Sequence, residues 1–197
     1  MQATASMNQA SGQAARLELS LLLESIQQSS NSQSYLLDFG PVQPHLVERI
    51  QCQGGKLQVA DAGLDELTAA QWPVFLQSQI SSHPKRRYQL VLSWDILNYL
   101  DSKQLQELDR SLSKAAEPGM RLHALIRYSK PDMPSQPDRF ALINDHQVEQ
   151  SAQVNSQIKA PRYTPKALEK WMPSFKVDRT RLLGNGMQEF ILRLSGQ

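Results

Sequence analysis

Two carboxylates and a glycine are spaced to meet a nucleotide-like ligand. The apolar run Tyr35-Leu36-Leu37 ends at Asp38, and Gly40 follows before Pro41-Val42-Gln43-Pro44. A strand that stops at a glycine lets a ligand approach the backbone amides opening the next helix, where the dipole favours an anionic group. Asp61 closes the next alternating run about twenty residues beyond Gly40, the spacing at which a nucleotide-binding βαβ unit sets an acid for the ribose hydroxyls. A third group, Ser93-Trp94-Asp95 with Asn98 and Tyr99, follows the apolar run Tyr88 to Leu92. It therefore lies at the carboxyl end of a central strand, where open α/β sheets bind ligands. There Asp95 is the candidate base or nucleophile-orienting acceptor, Ser93, Asn98 and Tyr99 its neighbours at the substrate's edge, and Trp94 a stacking wall for adenine or an aromatic acceptor. Each also has a structural alternative: Gly40 a turn glycine, Asp38 a turn cap, Asp61 a surface acid, Asp95 a helix N-cap, Trp94 and Tyr99 core packing. His45, His83, His123 and His146 have no metal-ligand spacing, so no metal site is expected.

These residues need an alternating α/β frame. Pro44 to about Gln51 reads as a helix with Pro in its first turn and Gly54-Gly55 as its stop. Lys56 to Asp61 is a strand, Leu64 to Ser82 a helix interrupted at Pro73, and Tyr88 to Ser93 a strand buried on both faces. A helix over Ser102 to Ala116, a turn at Pro118-Gly119 and a strand over Met120 to Ile126 follow. The polar, proline-bearing excursion from Ser129 to Pro161, with a helix around Asp145 to Gln153, is long for a loop in a compact domain. Arg127, Tyr128, Arg162 and Tyr163 flank it, and it reads either as a lid that excludes water or as an ordinary mobile surface loop. Thr164-Pro165 caps a last helix, and Phe175 to Leu183 and Met187 to Leu194 form a hairpin around Gly184-Asn185-Gly186.

Ahead of this frame, residues 1–14 are rich in Gln, Ala, Ser and Asn and read as a disordered tail. Residues 15–32 hold an amphipathic helix on Leu19, Leu22, Leu23 and Ile26 and a linker; Leu17 and Leu21 fall outside the stripe and leave room for a protein partner. Residues 33–197 form the domain. A net charge of +2 with scattered basic residues gives no reason to expect nucleic acid, and Lys85-Arg86-Arg87 reads as a solvated turn. The single Cys52 excludes an internal disulfide and suits a reducing cytoplasm. No signal peptide or membrane span is expected.

The ordered set of Asp38 and Gly40, Asp61, Leu90-Val91-Leu92-Ser93-Trp94-Asp95, Pro118-Gly119 and the terminal hairpin resembles the class I S-adenosylmethionine-dependent methyltransferases over most of residues 33 to 194. The resemblance implies a three-layer α/β Rossmann-like fold, mostly parallel and seven-stranded, with one antiparallel strand near the C-terminus. It also implies S-adenosyl-L-methionine as cofactor, held by Asp38, Gly40, Asp61, Ser93 and Trp94, and methyl transfer to an unknown small-molecule or protein acceptor near Asp95 and Tyr99. The glycine loop is degenerate, because Val42 and Pro44 stand where the family has further glycines, and Gln89 stands where many members have Asp. The alternative is therefore a catalytically inactive protein of the same fold that serves as a binding or scaffold module. A nicotinamide-dependent oxidoreductase lacks its phosphate-cradling glycines here.

Overall fold

The computed structural model describes residues 15–17, 22–23, 35–62, 70–144, 147–151 and 156–195. Its centre is a six-stranded sheet. The strands in chain order are β2 (Tyr35–Asp38), β3 (Lys56–Val59), β4 (Tyr88–Leu92), β5 (Ala116–Arg127), β10 (Phe175–Leu182) and β11 (Met187–Leu194), arranged β10-β11-β5-β4-β2-β3. β3, β2, β4 and β5 pair in parallel, whereas β11 is antiparallel to both β5 and β10. The expected seventh strand is not among the described residues, and β3 is the last strand of the described sheet.

Four helices of the described residues position the strands. In α1 (Pro44–Cys52), Pro44 takes a first-turn position where no amide bond is lost. Gly54, with φ +74°, ends the helix, and its amide returns to Gln51 O at 2.9 Å. The helix expected over Leu64 to Ser82 is α2 (Trp72–Leu76), which continues as a π-helical turn over Gln77–Ser81; residues 63–69 lie outside the described residues. Pro73 does not interrupt α2 but occupies its first turn. α3 (Ser102–Lys114) opens with a capping box in which Asp101 Oδ1 accepts from Lys103 N and Gln104 N, and Gln104 Oε1 accepts from Asp101 N. Asp101→Ala should lower stability by about 1 kcal/mol, measured by urea unfolding at unchanged slope. α4 (Pro165–Trp171) follows the Thr164 cap, whose hydroxyl accepts from Ala167 N at 3.2 Å.

Two apolar clusters sandwich the sheet. Leu37, Val91, Leu122, Ala124, Ile126, Phe190 and Leu192 meet α2, α3 and α4 through Trp72, Leu105, Leu108, Leu112 and Leu168. On the other face Leu36, Leu90, Leu92, Leu125 and Ile191 meet α1 through Leu46 and Ile50, together with Leu17, Leu22, Leu23, Phe140 and Val148.

Several expectations need correction. The excursion is strand, not loop and helix: β6 (Asp132–Pro134) pairs with β9 (Gln157–Lys159), and β7 (Arg139–Asn144) with β8 (Gln147–Ser151). The helix expected around Asp145 to Gln153 is replaced over residues 147–151 by β8, whose Val148 points into the core while its neighbours are exposed, a strand's period of two. The helix expected from residue 15 begins instead as β1 (Ala15–Arg16), which pairs with β8 and makes the small sheet three-stranded. Leu17, expected to face a partner, is buried in the second cluster; Leu22 and Leu23 are helical and buried, while Leu19, Leu21, Ile26 and residues 1–14 lie outside the described residues. Pro118-Gly119, read as a turn, lies within β5, where Gly119 has φ +76° and the β4 pairing jumps between Tyr88↔Ala116 and Leu90↔Arg121. Arg86, read as solvated, donates to Gln58 Oε1 of β3 at 2.6 Å.

Candidate functional site at the carboxyl edge of the sheet

The sheet brings Asp38 and Ser93 to the ends of adjacent parallel strands. Asp38 is fully buried: Oδ1 accepts from Gly40 N at 2.8 Å and from Trp94 Nε1 at 2.6 Å, and Oδ2 has no partner among the described residues. Burial is the main reason its carboxyl is pushed up to about 6; the two donors pull it down, and the Asp61 charge raises it. Asp61 is exposed beyond the end of β3. Ser93 is buried, and its hydroxyl donates to His123 O at 2.8 Å.

Trp94 dominates this edge. Its backbone has φ +49°, a left-handed conformation costly for a bulky residue. That turn directs the indole back over the end of β2, where it is 2% exposed and stacks on Phe140 of β7 with centroids 5.5 Å apart and planes 8° apart. It meets His123 edge-on at 6.0 Å. A Cβ placed on Gly40 would lie 2.6 Å from Trp94 Nε1 and 2.8 Å from Cδ1. Glycine at position 40 is thus required by the indole itself, whatever else approaches the loop.

Asp95 is also fully buried and does not cap the following 3-10 turn over Ile96–Tyr99. Its Oδ2 accepts from Asp138 N at 3.1 Å and lies 3.8 Å from Arg127 Nη2, while Oδ1 has no partner among the described residues. Burial, then the neighbouring Asp138 charge, pushes the Asp95 carboxyl up to about 8, against the pull of the Asp138 amide and Arg127. Asp138 is itself paired with Arg127 and accepts from Gln150 Nε2, and Gln150 Oε1 accepts from Asn185 Nδ2 at 2.9 Å. Asn98 donates to Asp95 O and Leu125 O and accepts from Arg127 N. The Tyr99 hydroxyl faces Gln136 O at 2.7 Å and Pro134 O at 3.1 Å. Burial and the Asp95 charge push its ionisation upward, so it acts here as a donor to the excursion backbone. Asp95 and Tyr99 are committed to holding the excursion down, and Asn98 to tying the 3-10 turn to β5.

A further polar chain carries no signal in the sequence. His123 Nε2 lies 3.0 Å from Glu189 Oε1, and Glu189 Oε2 lies 3.0 Å from Arg181 Nη2. Phe140, Asp138 and Gln150 were missed too, although Arg139-Phe140-Ala141-Leu142-Ile143 carries the aromatic and branched residues of a strand. Gln43, just before α1, ties the same strand to the loop: its Oε1 accepts from Leu142 N at 2.9 Å.

For the cofactor that the resemblance implies, the residues at this edge do not fit in this arrangement. The space beside Gly40 through which a ligand would reach the loop amides holds the indole, Asp38 Oδ1 is occupied by Gly40 N and Trp94 Nε1, and Phe140 closes the stack from above. Among the described residues no group of His, Cys, Asp or Glu could hold a metal, and no helix is long and apolar enough to cross a membrane.

No family model and no curated protein matches the chain. Among solved structures it is similar to the glycopeptide N-methyltransferase MtfA at 13% identity and a TM-score of 0.45, covering 91% of this chain and 96% of that one. It is similar to the 1,6-didemethyltoxoflavin-N1-methyltransferase of Burkholderia thailandensis at 11% identity and a TM-score of 0.47, covering 89% and 77%. A third, an S-adenosylmethionine-dependent methyltransferase from Clostridium acetobutylicum, has 12% identity and a TM-score of 0.46, covering 90% and 91%.

Proposed function

We propose that this chain is a binding module built on a methyltransferase-like α/β frame, which works with its own Trp94 in place of a cofactor and carries out no methyl transfer. One observation supports this reading above the others: the indole lies 2.6 Å from where a Gly40 side chain would begin and donates to Asp38. The excursion would be the contact surface. It is fastened to the frame through Gln43, Asp95, Tyr99 and Asn185, which leaves its outer residues, such as Ile143 at 53% exposed, to face a partner beside the exposed Val42.

The second reading, methyl transfer to an unknown acceptor, draws on Asp61, which stays exposed and close enough for its charge to act on Asp38. Thermal unfolding separates the two. With millimolar S-adenosylmethionine or S-adenosylhomocysteine the midpoint should not move. A ligand at about 100-fold its dissociation constant adds roughly 2.7 kcal/mol, a rise of about 5–10 °C for this chain length, and such a rise would restore the enzyme reading. In that case Asp61→Ala should abolish the rise.

A further inference from the structure

At the opposite end of the sheet the strand register gathers cations that are far apart in sequence. Lys176 of β10 is paired with Arg193 of β11, and Arg193 with Arg121 of β5. Directly paired residues share a face, and the flanking Phe175, Leu192 and Leu122 all enter the cluster on the other side. Lys176, Arg193 and Arg121 therefore form one row on one face across three strands. Like charges placed directly opposite in a ladder destabilise it. Lys176 has one weak counter-charge, Glu169 Oε2 at 3.8 Å; Arg121 and Arg193 have no ion pair among the described residues.

Two members of the row, Lys176 and Arg193, line a groove of about 550 Å³ together with Pro118, Gly119, Val177, Asp178, Leu194 and Ser195; Arg121 stands beside Arg193, outside the lining. The Arg193 guanidinium lies over Gly119, 3.6 Å from where a side chain at that position would start, and the φ of +76° at Gly119 is what favours glycine there. Ser195 Oγ is buried without a partner in the described structure. Asp178 is the one carboxylate of the lining, and among the described residues it forms no ion pair with the three cations.

We propose that this groove binds a phosphate-bearing ligand, with Arg193 supplying a planar donor fork, Lys176 a point charge and Ser195 a hydroxyl donor, and with Arg121 adding positive charge from beside the groove. A guanidinium and an ammonium in the lining, with a second guanidinium beside them, suit a dianion better than a single carboxylate, and its binding would relieve the repulsion along the row.

The test is an amide NMR titration of the full chain with inorganic phosphate and with O-phosphoserine, against chloride at matched ionic strength. Saturable shifts at Gly119, Lys176 and Ser195 are expected with both phosphates and not with chloride. Arg193→Gln should weaken binding by about tenfold or more while leaving the thermal midpoint in the absence of phosphate no lower than wild type, because it removes a like-charge pair. Arg121→Gln, which removes a charge beside the groove and no donor in it, should weaken binding by less than Arg193→Gln. Equal shifts with phosphate and chloride, or equal affinity in wild type and Arg193→Gln, overturn the proposal. A short phosphoserine peptide run beside free O-phosphoserine separates the two sources of the group: tighter peptide binding assigns a phosphorylated protein, equal binding a small phosphate ester. The outcome is independent of whether S-adenosylmethionine binds at the other end of the sheet.

Discussion

Trp94→Ala should lower stability by about 3–5 kcal/mol, a fall of roughly 6–20 °C in thermal midpoint for a chain of this length. The indole is buried between Phe140, His123 and the Gly40 loop, so its removal leaves a cavity and breaks the bond from Nε1 to Asp38. Trp94→Gly should be less damaging than Trp94→Ala by about 1 kcal/mol, because a left-handed backbone suits glycine and strains any other residue at φ +49°. Trp94→Phe keeps most of the apolar volume but leaves Asp38 Oδ1 with Gly40 N alone, and should cost about 1–3 kcal/mol. Chemical denaturation of the three variants checks the order. A loss under 1 kcal/mol for Trp94→Ala would mean that the indole does not hold this edge together. Repeating the S-adenosylmethionine titration on Trp94→Gly adds a second readout: a midpoint rise found only in that variant would identify the indole as what keeps the cofactor out.

Arg127→Met should cost about 3–5 kcal/mol, because it leaves the Asp95 and Asp138 carboxyls buried against each other without their shared cation. The same cluster makes stability depend on pH in an unusual direction. Asp95 and Asp38 have folded-state values raised to about 8 and about 6, above those of the unfolded chain. In the window between, the folded state binds a proton that the unfolded state has released, so stability falls as pH rises. The Asp38 contribution is complete below about pH 4 and is lost as pH rises through about 6; that of Asp95 is lost over a window reaching about 8. Each group changes stability by at most about 1.4 kcal/mol per pH unit within its window. Urea unfolding at pH 5, 6, 7 and 8 should show the decline in wild type and a flatter profile between pH 6 and 8 in Asp95→Asn. An equally steep profile in that variant would place the titrating group elsewhere.

Much of the frame was legible in the sequence because its signals are local. Tyr88 to Leu92 is apolar enough to be a strand buried on both faces, Pro44 and Thr164-Pro165 mark helix starts, and Gly184-Asn185-Gly186 marks the last hairpin. The strands of the excursion carry little signal in the sequence because they are stabilised by what they lie on rather than by their own pattern. β7 and β8 expose most of their residues and bury Phe140 and Val148 against Trp94 and Leu17, and β1 exists only as a partner of β8.

The candidate site divides in the same way. The sequence by itself placed Asp38, Gly40, Ser93, Trp94 and Asp95 at strand ends, since a strand's length and stop are set by neighbours along the chain. It left open what those side chains would face. Trp94 was compatible with a wall for a ligand or with packing, and the choice depends on one backbone angle and on Phe140, forty-six residues away in the chain. The same holds for the charges. Arg121, Lys176 and Arg193 read as scattered surface residues until strand register set them side by side. Hydrophobic period and turn chemistry act over a few residues, whereas the occupant of a cleft and the neighbours of a charge are fixed by pairings between distant strands, and only the tertiary structure decided those.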